Sequence, residues 1–330
     1  MKRRRFLAIS AAALALPRVA DAHSTSWQSQ ALGGQLRVDL RGGEGMNQRI
    51  LSAIAAIIAE VEAAASLFRP DSALVRLNET GGLTDPPPVL QDLLGLSDRL
   101  HAVTGGLFDP TVQPLWRALA ERASAQAIAE ARSRIGWHNV ARQDGVRLAM
   151  GQALTFNGIA QGYVADRVAA VLRRAGYGPA LIDMGEFVAL DGPFTLGIAD
   201  PTHGMLGQRQ LSAGALATSS PAAQWLPGGT HILGPMDQAP VWSTITVEAD
   251  SAVLADGLST AFCLMPATMI RAASANLPEV RRVTAVTFEG EFLTLWSGQG
   301  AGGVKVRPCS AKIAAIRPSS IALSIAMSTE

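Results

Sequence analysis

Asp256 and Thr260 stand four residues apart in "AVLADGLSTAFCLMP", a stretch with little else polar. Residues at that spacing share one face of a helix, so a carboxylate and a hydroxyl would point the same way. A carboxylate among apolar side chains needs hydrogen bonds, an opposite charge or a metal. Two roles fit: an N-cap, with Asp256 bonding the first turn of its own helix, or an oxygen ligand for a hard cation. Soft-metal chemistry has no support, because Cys263 and Cys309 form no CxxC and no HExxH or histidine pair occurs. Any metal here would be held by oxygen.

Three further segments carry chemistry-bearing residues. "TGGLFDPTVQPLW", 104 to 116, ends a helix at paired glycines and sets Asp109 before Pro110. It reads either as a C-cap followed by an Asx-type turn or as a binding loop. "LTFNGIAQGYVAD", 154 to 166, runs strand, Gly-rich turn, helix. Gly158 and Gly162 let backbone approach a ligand, and a new helix N-terminus favours anionic groups. "LATSSPAAQWLPGGTHILGP", 216 to 235, supplies Thr218, Ser219, Ser220 and then His231, a base candidate or a satisfied structural histidine.

The composition bounds what surrounds these residues. A chain of 330 residues with 48% hydrophobic and 17% charged residues can bury a large core, as one large or two ordinary domains. Net charge is +1, but residues 1 to 22 hold +4 of it, leaving about −3 and no basic surface for nucleic acid. Those positive charges open "MKRRRFLAISAAALALPRVADAHS", which has a cationic start, an apolar run and Ala20-Asp21-Ala22. That is the layout of an export signal, with an apolar run too short for a stable anchor. The paired arginines before "FLAIS" resemble a twin-arginine signal. The expectation is a signal at 1–22, a mature chain from about His23, and a periplasmic location.

The elements that must position the segments follow from periodicity. Residues 34 to 40 alternate as a strand, and 47 to 68, 89 to 103 and 124 to 134 read as helices. "GVRLAM" and "ALTFN" read as short strands before a helix at 163 to 175. Beyond it come strands at "PALIDMG", "VALDG", "FTLGIAD", "RQLSAGALAT", "STITVEA", "RRVTAVTFEG" and "FLTLW". Helices early and strands late predict an α+β fold with a mainly antiparallel sheet and packed helices.

Taken in order, "LFRPDSALVRLN", "TGGLFDPTVQPL", "FNGIAQGYVAD", "ALIDMGE", "LATSS...HILGP" and "TVEADSAVLADGLSTAF" resemble the signatures of the ApbE family, the FAD:protein FMN transferases. The resemblance runs from about residue 30 to about 297. It implies an ApbE-like fold, related to the tunnelling fold, over 23–299, with 300–330 left unassigned. It also implies a flavoprotein transferase that moves FMN from FAD to a threonine or serine hydroxyl of a partner, releasing AMP. The partner would be an exported electron-transfer protein, and any membrane association would come through it.

By resemblance, Asp256, Thr260 and the carbonyl of Ala160 would hold Mg²⁺. His231 would be catalytic. Leu32, Phe68, Asn78, Leu107, Phe108, Asp109, Asn157, Tyr163, Thr218 and Ile232 would contact FAD. Gln161 and Glu186 depart from the family pattern, replacing a common lysine and a second glycine. Two other outcomes stay open: a flavin-binding accessory protein without transferase activity, and an FAD pyrophosphatase giving FMN and AMP.

Overall fold

A computed structural model describes residues 13–15, 24–42 and 45–298. The expected export signal (apart from residues 13–15) and the tail from 299 onward lie outside the described residues. An eight-stranded, open, wholly antiparallel sheet organises the chain. Its strands are β1 (Ser24–Ala31), β2 (Gly34–Arg41), β3 (Ala180–Asp183), β4 (Phe187–Leu190), β7 (Gly214–Ser219), β8 (Thr244–Ala249), β9 (Val280–Val286) and β10 (Phe292–Ser297). Their order across the sheet is β10-β9-β8-β7-β4-β3-β2-β1. A second sheet pairs β5 (Phe194–Asp200) with β6 (Gly204–Leu211), and Ala13–Ala15 lies beside β5.

Strand alternation decides which side chains go to which layer. Ala180, Ile182, Ala215 and Ala217 join the large core under the helices, while Leu181 and Leu216 meet Phe194, Leu196 and Leu211 on the opposite face. Strands β3 and β4 are therefore largely apolar on both faces, and the sheet is sandwiched between helices and the smaller sheet.

The described residues also form eight α-helices: α1 (Gln48–Ala65), α2 (Ala73–Thr80), α3 (Pro88–Val103), α4 (Gln113–Ala120), α5 (Ala125–Ser133), α6 (Ala160–Arg174), α7 (Ala252–Phe262) and α8 (Ala267–Ala275). None of the described helices is long and apolar enough to cross a membrane. Most match the periodicity within a few residues; α2, α4 and α8 have no counterpart in it. The strand expected at "ALTFN" does not form: Leu154 and Thr155 bond to the Asn78 side chain and the Pro110 carbonyl instead of a ladder.

α7 is buried on nearly every side, and Thr260 is the one residue in it that is only partly buried. It lies between α6 and strands β7 and β8. Its N-terminus is capped by Ser251, which accepts from the Leu254 amide at 3.4 Å. Asp166 of α6 accepts from the Ala252 and Val253 amides at 2.8 and 2.9 Å. The orphan donors of the first turn are thus satisfied without Asp256, and the N-cap role considered for it is excluded.

The α6–α7 contact depends on Gly162. A Cβ there would lie 2.6 Å from the Ala252 carbonyl oxygen and 2.8 Å from Val253 Cα, both backbone atoms. Helix propensity alone favours alanine by about 1 kcal/mol, but overpacking against fixed atoms costs about 1–3 kcal/mol. Gly162→Ala is expected to lower the melting temperature, the clash outweighing the propensity. A melting temperature equal to or above the parent's would show that the two helices separate freely.

Candidate active site

One cleft gathers most of the residues singled out in the sequence. Leu107, Phe108 and Asp109 line it from the loop after α3, Asn157 and Gly158 from the loop before α6, Thr218 and Ser219 from the end of β7, His231 and Ile232 from the following loop, and Asp256 and Thr260 from α7. Gln161 and Glu186 also line it.

The α6 end of the cleft is a helix N-terminus whose own N-cap residue, Ile159, makes no side-chain cap. Asp256 is 5% exposed, and its Oδ2 accepts from the Gly162 amide at 3.3 Å. Burial pushes its carboxyl up to about 7; the Gly162 amide opposes the rise and Asp166 adds to it. Beside it a hydroxyl chain runs through three side chains. Ser219 Oγ lies 2.8 Å from Ser259 Oγ and 3.3 Å from Thr260 Oγ1, and Ser259 donates to the Asp256 carbonyl. Gly158 admits Thr260: a Cβ there would meet Thr260 Oγ1 at 3.4 Å and the Phe108 ring at 3.5 Å.

These donors are all oxygens, which suits a hard cation. Among the described residues no group of three or more His, Cys, Asp or Glu could hold a metal by itself. Mg²⁺ tolerates that, since it keeps waters and takes one or two carboxylates plus substrate phosphates. Ala160 is buried at the first position of α6, between Gly158 and Gln161, and its side chain does not line the cleft.

His231 Nδ1 lies 3.2 Å from both the Pro221 and the Gln224 carbonyl oxygens. Carbonyls only accept, so Nδ1 carries the proton and Nε2 is the free basic nitrogen. Burial holds the imidazole below its ordinary pKa, against the raising effect of those two bonds, which favours the neutral form.

Other expected contacts have different duties. Asp109 Oδ1 accepts from the Thr111 amide at 2.8 Å and its hydroxyl at 2.5 Å, while Oδ2 accepts from the Trp137 amide at 3.2 Å. It lines the cleft and at the same time caps a 3-10 turn at Pro110–Val112. Asn78 is not in the cleft: its amide donates to the Leu154 carbonyl and accepts from the Leu154 amide, at 2.9 and 2.7 Å. Tyr163 points elsewhere too, donating to Asp92 at 2.7 Å, with burial first among the causes that push its hydroxyl up to about 12. Leu32, at φ 51° in the β1–β2 turn, donates its amide to Glu62. Phe68 is 49% exposed, near Gly33 of that turn, and neither it nor Leu32 lines the cleft.

Two residues at the centre were not assigned a role from the sequence. Ser219 was visible only as one hydroxyl in a "TSS" run. Glu186 was visible only as a carboxylate where the resemblance leads one to expect glycine.

An α+β scaffold that gathers a helix N-terminus, a cluster of oxygen groups and an imidazole in one cleft carries the groups that phosphate-ester chemistry uses. The chain belongs to the ApbE family, whose model matches residues 25–283. It is 27% identical over 233 residues to the FAD:protein FMN transferase of Klebsiella pneumoniae, covering 61% of this chain and 66% of that protein, about two thirds of its length. Among solved structures, it resembles the apo flavinyl transferase ApbE of Pseudomonas stutzeri at 25% identity and TM-score 0.71, covering 86% of this chain and 98% of that one. The flavin transferase ApbE of Vibrio cholerae gives TM-score 0.72 at 19% identity, with 84% and 98% covered, a likeness of fold.

The Asn78 geometry makes a ligand-free prediction. Asn78→Ala strands the amide and carbonyl of fully buried Leu154, each at about 1–3 kcal/mol. Urea unfolding without any flavin should show that loss. Stability equal to the parent's would mean that Asn78 matters only through a ligand.

Proposed function

We propose that this protein transfers FMN from FAD to a threonine or serine hydroxyl of an acceptor protein, releasing AMP. The observation that carries the reading is the meeting of His231, Asp256 and Thr260 in one cleft at the N-terminus of α6. Family membership and the names of its relatives support the same activity.

In this reading the diphosphate sits where the α6 amides and the Asp256 corner converge. Asp256 and Thr260 hold Mg²⁺, with the Ala160 carbonyl as a third candidate. When bound, the ion offsets charge on the phosphorus under attack. The hydroxyl oxygen of the acceptor bonds to the FMN phosphorus, the bond from that phosphorus to the bridging oxygen of the diphosphate breaks, and AMP departs with the bridging oxygen. His231 Nε2 takes the hydroxyl proton. Leu107, Phe108 and Ile232 provide apolar walls, and Asn157 and Thr218 polar contacts. The twin-arginine-like segment supports an exported, periplasmic setting and an exported electron-transfer acceptor.

Incubation of the mature chain with FAD, Mg²⁺ and an acceptor domain should give an acceptor band with in-gel flavin fluorescence. Release of free FMN without labelling would favour the pyrophosphatase reading, and neither product would favour an accessory protein. Asp256→Ala and EDTA should each abolish labelling, with Mg²⁺ reversing only the chelation.

His231→Ala should slow transfer by roughly 10²–10⁴-fold while FAD stays bound. The imidazole must be neutral to accept a proton, and burial lowers its pKa. Transfer should therefore persist through pH 7 and fall on the acid side, with a midpoint below the ordinary histidine value of about 6.5. Equal rates in parent and His231→Ala would leave the histidine a structural role alone.

A further inference from the structure

We propose that Glu186 is a second carboxylate ligand of the cation site, so that this chain holds a divalent ion before any diphosphate arrives. The inference rests on the reading of Asp256 and Thr260 as cation ligands.

Glu186 follows a tight turn between β3 and β4. The Gly185 amide donates to Asp183 Oδ1 at 2.9 Å, the Met184 amide donates to the Glu186 carbonyl at 3.0 Å, and Gly185 takes φ 97°. The backbone that carries the side chain is thus held on both sides of the turn. The residue is 5% exposed and lines the same cleft as Asp256, Thr260 and Ser219. Its Oε2 is buried and has no hydrogen-bond partner among the described residues.

A buried carboxylate oxygen left unpaired is costly, so something must compensate it. Among the described residues no lysine or arginine lines the cleft, and the only lysines in the sequence are Lys2, Lys305 and Lys312, outside the described residues. A divalent ion satisfies Glu186 and Asp256 together, balances their two charges, and uses the neighbouring hydroxyls. One or two carboxylates are the usual protein share around Mg²⁺. With both present, charge balance at the site no longer requires the diphosphate.

Mn²⁺ titration of the FAD-free mature chain, followed by the EPR signal of the free ion, tests this directly. The parent should bind one Mn²⁺. Glu186→Gln, which keeps size and shape, and Glu186→Gly should each weaken binding by roughly 10–100-fold, the scale for loss of groups supporting a metal site. Melting curves in EDTA confirm that each variant is folded. Binding unchanged in both variants but lost in Asp256→Ala overturns the role of Glu186 and leaves the Asp256 site standing. Binding retained in Asp256→Ala overturns the underlying site and this inference with it.

Discussion

The amide of Gly162 donates to the buried carboxylate of Asp256, and that bond exists only because α6 and α7 touch backbone to backbone at Gly162 and Ala252. Without a Cβ at 162 the first turn of α6 can approach the first turn of α7. The carboxylate then meets an N-terminal amide rather than bare hydrocarbon, and the positive end of α6 faces the same cleft. Asp166 locks the contact from the other side by accepting the first two amides of α7. Thr260, one turn beyond Asp256, consequently opens into the cleft.

From that junction the rest of the site takes its positions. β7 delivers Thr218 and Ser219 beneath α7, with Thr218 bonded to Thr246 of β8. The β3–β4 turn brings Glu186 to the cleft, and the loop after β7 brings His231 with its Nδ1 tied to backbone. Burial then sets the chemistry. It raises both Asp256 and Glu186, each partly through the charge of a neighbouring carboxylate, and it lowers His231. The carboxylates favour a proton or a cation as partner, while the histidine stays a free base. In the proposed reading a divalent ion would compete with protons for the first pair without charging the second group.

Much of this was legible before any coordinates. The i, i+4 spacing of Asp256 and Thr260 fixes their common face, and the Gly-rich turn before α6 signals close backbone approach. Three elements were not legible for physical reasons. Leu154 and Thr155 look like a strand, yet their partners are the Asn78 side chain and the Pro110 carbonyl, distant in sequence. The resemblance makes Asn78 a ligand contact, and the sequence does not show that its amide also bonds both backbone groups of Leu154. The N-cap possibility for Asp256 could be excluded only by seeing Ser251 and Asp166 satisfy those donors. Periodicity also passed over the short helices α2, α4 and α8.

Anomalous diffraction from crystals of the mature protein grown with Mn²⁺ and FAD tests the central claim most directly. The account predicts one strong anomalous peak bounded by Asp256, Thr260 and Glu186, with the FAD diphosphate between that ion and the N-terminus of α6. A peak elsewhere, or a diphosphate bound away from α6, would contradict it.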